Sequence, residues 1–296
     1  MRMDRDPMPA DINQRFLFDG TDVRGELVHL SQAFMDMTAE HGYPAPVKRL
    51  LGEMLVAVVL LSGTIKYRGR LILQVRSQGQ IPLAMVETSN DGKVRGIARH
   101  NPEVSEFDED FHTLLRDGTL VMTVEPEGGE RYQSIVPLLA DNFAACIEAY
   151  FAQSEQLGTR LSLAVSEQQA AGLLLQQLPP QLVTDAAERD KQWQHLVILG
   201  QSVTAEELLH LDSESLLGRL YVQDPVRLVD QRQVIFECSC SAARAARSIA
   251  ELGTEQLDYL FEEDDVITVD CEFCRATYDF SRESLSELVR GDQTSH

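Results

Sequence analysis

Four cysteines near the C-terminal end constrain the chain more than any other feature. Cys238-Ser239-Cys240 is followed, after thirty intervening residues, by Cys271-Glu272-Phe273-Cys274. Two close pairs separated by a domain-sized loop are the layout of a tetrahedral all-thiolate site: each pair sets two sulfurs on one tight turn, and the loop brings the turns together. Thiolates favour zinc or iron–sulfur over hard cations, and no ferredoxin-like spacing is present, so the pattern predicts one zinc ion per chain. The segment around the pairs, about 234–296, has few large apolar residues and many acids, with Glu262, Glu263, Asp264 and Asp265 in one run. So small and acidic a segment lacks the core to fold unaided, and a metal staple is expected. The fifth cysteine, Cys146, lies alone in an apolar helical stretch with Phe143 and Ile147 and reads as a buried, unreactive thiol. The odd count, with no signal-peptide pattern at the start, argues against a secreted disulfide framework and for a reducing compartment.

Four sulfurs close the coordination sphere and leave no position for water, which argues against a zinc hydrolase. The plainest reading is a permanent structural zinc. Two features point instead to a switch. Either pair could close within itself as a local disulfide, which would leave nothing joining the two turns; metal-binding energy is also folding energy, so oxidation could unfold the unit. Arg244, Arg247 and Arg275 also lie near the thiols in sequence and could favour thiolate, although the surrounding acids oppose them. Enzymatic motifs are missing: there is no P-loop, dinucleotide fingerprint or nucleophile elbow. His29, His41, His100, His112, His195, His210 and His296 are scattered. A thioredoxin-type oxidoreductase would carry one CxxC near a βαβ start, not a terminal one with a second pair. A permanent-zinc protein adaptor and a thiol switch both stay open at this point.

A chain of 296 residues is comfortable for two domains. Its net charge of -21 repels nucleic acid phosphates and anionic membrane surfaces, and would keep a complex with a partly unfolded partner dispersed. The most apolar stretch, Met54 to Leu61, is far too short to span a bilayer. Three regions separate by pattern. Region 1–180 mixes helix and strand signals. Ala45 to Thr64 reads as a helix with Pro46 in its first turn and a wide apolar face, and Ser31 to His41 as a helix stopping at Gly42. Strand candidates run Leu71–Arg76, Leu83–Glu87, Val94–Ala98, Leu120–Glu125, Tyr132–Val136, Arg160–Val165 and Gly172–Leu178. Turns at Asn90-Asp91-Gly92 and Glu127-Gly128-Gly129 join four of these into two hairpins, and Asp141 can cap a helix through Tyr150. Tight hairpins predict an α+β domain with a largely antiparallel sheet packed with helices. Region 181–233 reads as a helical linker: Trp193, Leu196, Val197 and Gly200 share one face, and Thr204 with Glu207 forms a capping box. Its short helices need a neighbour on which to bury Leu208, Leu209, Leu216, Leu217, Leu220 and Tyr221. Region 234–296 is the small zinc-binding domain.

Beyond the spacing, the motif Phe236-Glu237-Cys238-Ser239-Cys240-Ser241 with Cys271-Glu272-Phe273-Cys274 resembles the zinc centre of the bacterial redox-regulated chaperones, the 33 kDa heat-shock protein family. Phe18, Val23-Arg24-Gly25-Glu26-Leu27-Val28 and Tyr43-Pro44-Ala45-Pro46-Val47 resemble the start of that family. Ser154-Glu155-Gln156-Leu157 with Thr159-Arg160-Leu161 resembles its centre, and Arg219-Leu220-Tyr221 its linker. The resemblance covers nearly the whole chain. It implies an ATP-independent holdase, not an enzyme, cytoplasmic, inactive while reduced and zinc-bound. Oxidation there converts the ligand cysteines into two disulfides between neighbours, here Cys238–Cys240 and Cys271–Cys274, and releases zinc. The zinc domain and linker then lose order, and unfolding client proteins are bound, typically by a homodimer. The six apolar linker residues become client-binding candidates on this reading. One departure is the alanine-rich segment Ser241-Ala242-Ala243-Arg244-Ala245-Ala246-Arg247, where the family usually carries more charge.

Overall fold

The computed structural model describes residues 11–65 and 68–292; the N-terminal stretch 1–10 and His296 lie outside them. The chain separates into two compact units, 1–236 and 237–296.

The first unit runs β1 (Ile12–Phe18), β2 (Val23–Leu30), α1 (Gln32–Thr38), α2 (Ala45–Thr64), β3 (Gly69–Arg76), β4 (Leu83–Ser89), β5 (Lys93–Arg99), α3 (Phe111–Leu114), β6 (Thr119–Pro126), β7 (Tyr132–Pro137), α4 (Phe143–Tyr150), β8 (Thr159–Val165), β9 (Ala170–Gln177), α5 (Ala186–Gln201), α6 (Ala205–His210), α7 (Ser213–Leu220), β10 (Val226–Gln233) and β11 (Ile235–Phe236). Two sheets result, of strand order β10-β1-β2-β9-β8 and β11-β5-β4-β3-β6-β7. All neighbours are antiparallel except β11, which runs parallel to β5. Helix α2 explains how both sheets share one core. It is apolar nearly all round, as a helix wrapped by protein must be, and it touches β2, β8 and β9 of one sheet and β3, β4 and β5 of the other. Backbone comes so close at Gly172 that a Cβ there would stand 2.4 Å from Val56.

The expected strands and hairpins all form, as does the helix Ala45–Thr64. The Asn90-Asp91-Gly92 turn closes with the Gly92 amide donating to the Ser89 carbonyl at 3.1 Å, Gly92 taking φ of +82°. Three features depart from expectation. Strands β1 and β2 carry no clean alternation, because Asn13, Gln14, Glu26 and His29 are buried polar residues. Glu26 is satisfied there by Arg15 Nε at 2.6 Å. The cap of α4 is Asn142 rather than Asp141, its side chain accepting from the Ala145 amide at 2.9 Å. Finally, the region read as helical ends in a strand: Val226–Gln233 pairs antiparallel with β1 across a bulge at Arg15/Phe16. As an edge strand it is mostly exposed, so it lacks the buried face that would have betrayed a strand in sequence.

Helices α5–α7 do find a neighbour. Leu208, Leu209, Leu216, Leu217 and Tyr221 are buried against Phe16, Phe18, Leu173 and Leu175 of the five-stranded sheet, with Leu220 partly buried beside them. Tyr221 meets Phe18 edge-on, ring centroids 4.7 Å apart. The Thr204–Glu207 capping box is formed. Asp22, just before β2, anchors the start of this segment by accepting from the amides of Gln181, Leu182 and Val183.

The second unit comprises α8 (Ala242–Ala250), α9 (Thr254–Glu263), β12 (Val266–Asp270), β13 (Thr277–Ser281) and α10 (Arg282–Asp292), with β12 and β13 an antiparallel pair. Its buried core is small: Ala246, Ile249, Phe280 and Leu285. Among the described residues no helix is long and apolar enough to cross a membrane.

Candidate metal centre

Each cysteine pair sits on a turn that the local sequence stiffens. Cys238 and Cys240 precede α8, whose first turn is capped by Ser241 accepting from the Arg244 amide. Arg244 then reaches back, its Nη1 donating to both the carbonyl and the Oγ of Ser239 at 2.7 Å each. The sequence offered Arg244 as a charge near the thiols; in the fold its guanidinium braces the turn between them. Cys271 and Cys274 occupy the turn joining β12 to β13. The Cys271 amide donates to the Ala276 carbonyl at 2.9 Å, and the Arg275 amide to the Cys271 carbonyl at 2.8 Å. Closing so tight a turn puts Arg275 in the left-handed region, at φ of +57°.

These turns converge. All four Sγ atoms lie within 4.8 Å of one another. Cys238 and Cys271 sulfurs are 3.6 Å apart, and those of Cys240 and Cys274 3.4 Å apart. Tetrahedral zinc with Zn–S bonds of ~2.3 Å would set its sulfurs ~3.8 Å apart. The donor set, its number and its spacing therefore fit zinc. Sulfurs this close cannot ionise independently. Burial opposes the Cys240 thiolate, but hydrogen bonds from Tyr278 and the neighbouring thiols outweigh it and bring that thiol down to about 7. Burial, with the protons shared among the sulfurs, pushes Cys274 up to about 12, and burial first also raises Cys238. Cys146 stands apart in character. It is 1% exposed, its Sγ 3.8 Å from the Ala140 carbonyl, and burial raises its thiol.

One participant escaped the sequence reading. Tyr278, on β13, places its hydroxyl 3.1 Å from the Cys240 Sγ. No motif marks it; only the hairpin register carries it there.

A large α+β unit with leucine-bearing helices folded onto one sheet, and a small unit in which four thiols converge and would close a metal's coordination sphere, describe a zinc-binding protein rather than a zinc hydrolase. The Hsp33 protein family model matches residues 11–281. The 33 kDa chaperonin of Pseudomonas aeruginosa (strain UCBPP-PA14) is 47% identical over 283 residues, covering 95% of each chain. That of Azotobacter vinelandii is 48% identical over 282 residues, again covering 95% of each. The crystal structure of the 33 kDa chaperonin of Thermotoga maritima has the same fold, with a TM-score of 0.78 over 96% of this chain and 99% of that one at 19% identity. The chain belongs to the Hsp33 family, redox-regulated holdase chaperones with a C-terminal zinc-binding cysteine cluster. The enzyme reading falls with that membership, and client proteins are the partners it brings.

Proposed function

We propose that Cys238, Cys240, Cys271 and Cys274 hold one zinc ion in the reduced protein, and that their oxidation is the event that turns client holding on. The convergence of four sulfurs in a unit whose fully buried core is, among the described residues, four side chains with partly buried ones around them carries this reading. When bound, zinc joins the two turns and keeps the sulfurs as thiolates. Oxidation by a peroxide takes one thiolate to a sulfenic acid with release of hydroxide. A second thiolate then displaces hydroxide from that sulfur and closes the disulfide. The pairs we assign are Cys238–Cys240 and Cys271–Cys274. A crosswise Cys238–Cys271 bond would keep the two turns stapled, whereas neighbour bonds remove every covalent or metal link between them.

The chain on this reading works as an N-terminal core (1–180), a helical linker (181–233) and a C-terminal redox domain (234–296). Loss of order in the last two uncovers the apolar face of Leu208, Leu209, Leu216, Leu217, Leu220 and Tyr221, which we assign to client binding. Exposed apolar patches of several hundred Å² are interaction sites, and these residues form the buried apolar face of the linker segment. A dimeric oxidised form and a cytoplasmic location complete the proposal; the reducing cytoplasm keeps such thiols loaded with metal.

The test follows zinc with a colorimetric chelator and client aggregation by light scattering, on reduced and on peroxide-treated protein at mildly elevated temperature. Release of about one zinc per chain together with new suppression of aggregation is expected. Peptide mapping of the oxidised protein should recover the two neighbour disulfides. Zinc that leaves without any gain in holding would return the four cysteines to a structural role.

A further inference from the structure

The hydroxyl of Tyr278 is a feature of the metal centre that neither the cysteine spacing nor the switch as described above employs. It lies 3.1 Å from the Cys240 Sγ. Its position is set by the register of a hairpin. Tyr278 pairs with Val269, and Phe280, two residues on along the same face of β13, is buried in the small core. On the opposite face, Thr277 Oγ1 donates to Asp270 and Thr268 Oγ1 to Asp279, both at 2.7 Å. A slip of one residue would break both pairs and turn Tyr278 and Phe280 outward, so the register and the phenol's height are held together.

From this geometry we infer that Tyr278 is a positioning residue that shields the Cys240 sulfur and raises the oxidant threshold of the switch. The inference rests on the assignment of the four cysteines as zinc ligands. A thiolate that accepts an O–H hydrogen bond has one lone pair engaged and part of its charge withdrawn. It is a weaker nucleophile toward peroxide, and its lone-pair electrons lie lower in energy. The phenol also stands on one side of the sulfur and narrows the approach of an oxidant. Cys240 shares its turn with Cys238 and touches Cys274 across the centre, so slowing attack at this sulfur slows loss of the whole cluster. The effect is chemical, at one sulfur, and leaves the number and identity of the ligands unchanged.

The experiment loads the full-length reduced protein with Co(II) and compares wild type with Tyr278→Phe, which removes the oxygen and keeps the ring on the small core. The d–d bands report a tetrahedral four-thiolate site, and the sulfur-to-cobalt charge-transfer band reports electron density on the sulfurs. Tyr278→Phe should keep the d–d bands and move the charge-transfer band to lower energy. Zinc release from the zinc-loaded variant under peroxide should quicken by roughly two- to ten-fold, the factor one hydrogen bond carries. Installing 3-fluorotyrosine at position 278, a stronger donor of similar size, should shift the band to higher energy and slow release. It tests the inference even where the Phe variant folds poorly. An unmoved band, or a moved band with unchanged release, overturns the inference while leaving the zinc assignment intact. Wild-type protein without four-thiolate cobalt bands would overturn both.

Discussion

Truncating Leu216 to alanine tests whether docking of the linker helices is what hides the client surface. Leu216 is 0% exposed and packs, with Leu208 and Tyr221, on the sheet residues Phe16, Phe18, Leu173 and Leu175. Removing a fully buried leucine side chain down to its Cβ costs ~2–5 kcal/mol, depending on how far the cavity collapses. At ~1.4 kcal/mol per factor of ten, the equilibrium between docked and undocked helices moves by roughly thirty- to several-thousand-fold. Leu216 packs in an apolar cluster between α5–α7 and the outer face of the five-stranded sheet, separate from the cluster around α2, so the loss falls on α5–α7 rather than on the α2 core. Hydrogen exchange on the reduced, zinc-loaded variant should show faster exchange across 186–220 with protection kept in β3, β4 and β6. The same protein should suppress aggregation of a heat-denatured client without any oxidant. Ile198, on α5 but 64% exposed, is the control: Ile198→Ala should change stability by no more than ~0.5 kcal/mol and leave the reduced form inactive. Faster exchange with no gain in holding would refute the assignment of this face to clients. Unchanged exchange would refute the burial argument itself.

Asp22 fastens the linker's start, and burial works against its carboxylate, but three backbone amides and Arg189 hold it below the ordinary aspartate value of 3.8. Because the folded value is the lower one, its contribution is complete above that ordinary value and is lost as pH falls through the folded one. Asp22→Ala, leaving three amides without an acceptor, should cost ~1–3 kcal/mol and flatten the acid limb of a thermal-stability profile; an unchanged limb would contradict it. Arg275→Gly relieves a side chain held at φ of +57° and should tighten zinc binding by up to about five-fold in a chelator competition, where weaker binding would count against the strain. Cys146, buried and with a raised thiol, should stay reduced under peroxide that consumes the other four cysteines; differential alkylation and mass spectrometry read this directly. Its early oxidation would show that α4 opens in the native protein.

Much of the fold was legible because it depends on local pattern. The helix Ala45–Thr64 has proline at its first turn, a wide apolar face and Gly63 near its end, all readable from adjacent residues. The capping box Thr204–Glu207 is likewise a matter of four adjacent residues. The turn at Gly92 needs only a residue tolerant of positive φ. Six strands escaped, β1, β2 and β10 to β13, and for β1, β2 and β10 the reason is that their identity is decided at a distance. Glu26 is tolerable inside a sheet because Arg15, itself held by the Gly63 carbonyl at the end of α2, pairs with it, and β10 is a strand only because β1 offers it an edge.

The metal centre divides along the same line. Cys238, Cys240, Cys271 and Cys274 could be chosen from spacing because a tetrahedral thiolate site imposes short intervals within each pair and leaves the loop between them free. Which groups surround those sulfurs is not written in any interval. Tyr278 reaches Cys240 because a hairpin register and the buried Phe280 carry it there, and Arg244 is spent on Ser239 because α8 begins at Ser241. The burial of Leu216 and Tyr221 is also a decision of the sheet they fold onto. By itself, then, the sequence determined the local conformations and the identity of the four thiols, since both depend on residues within a few positions of one another. Only the tertiary structure decided what shields the thiols and what covers the linker's apolar face, because those partners are brought together by strand pairing and packing across long stretches of chain.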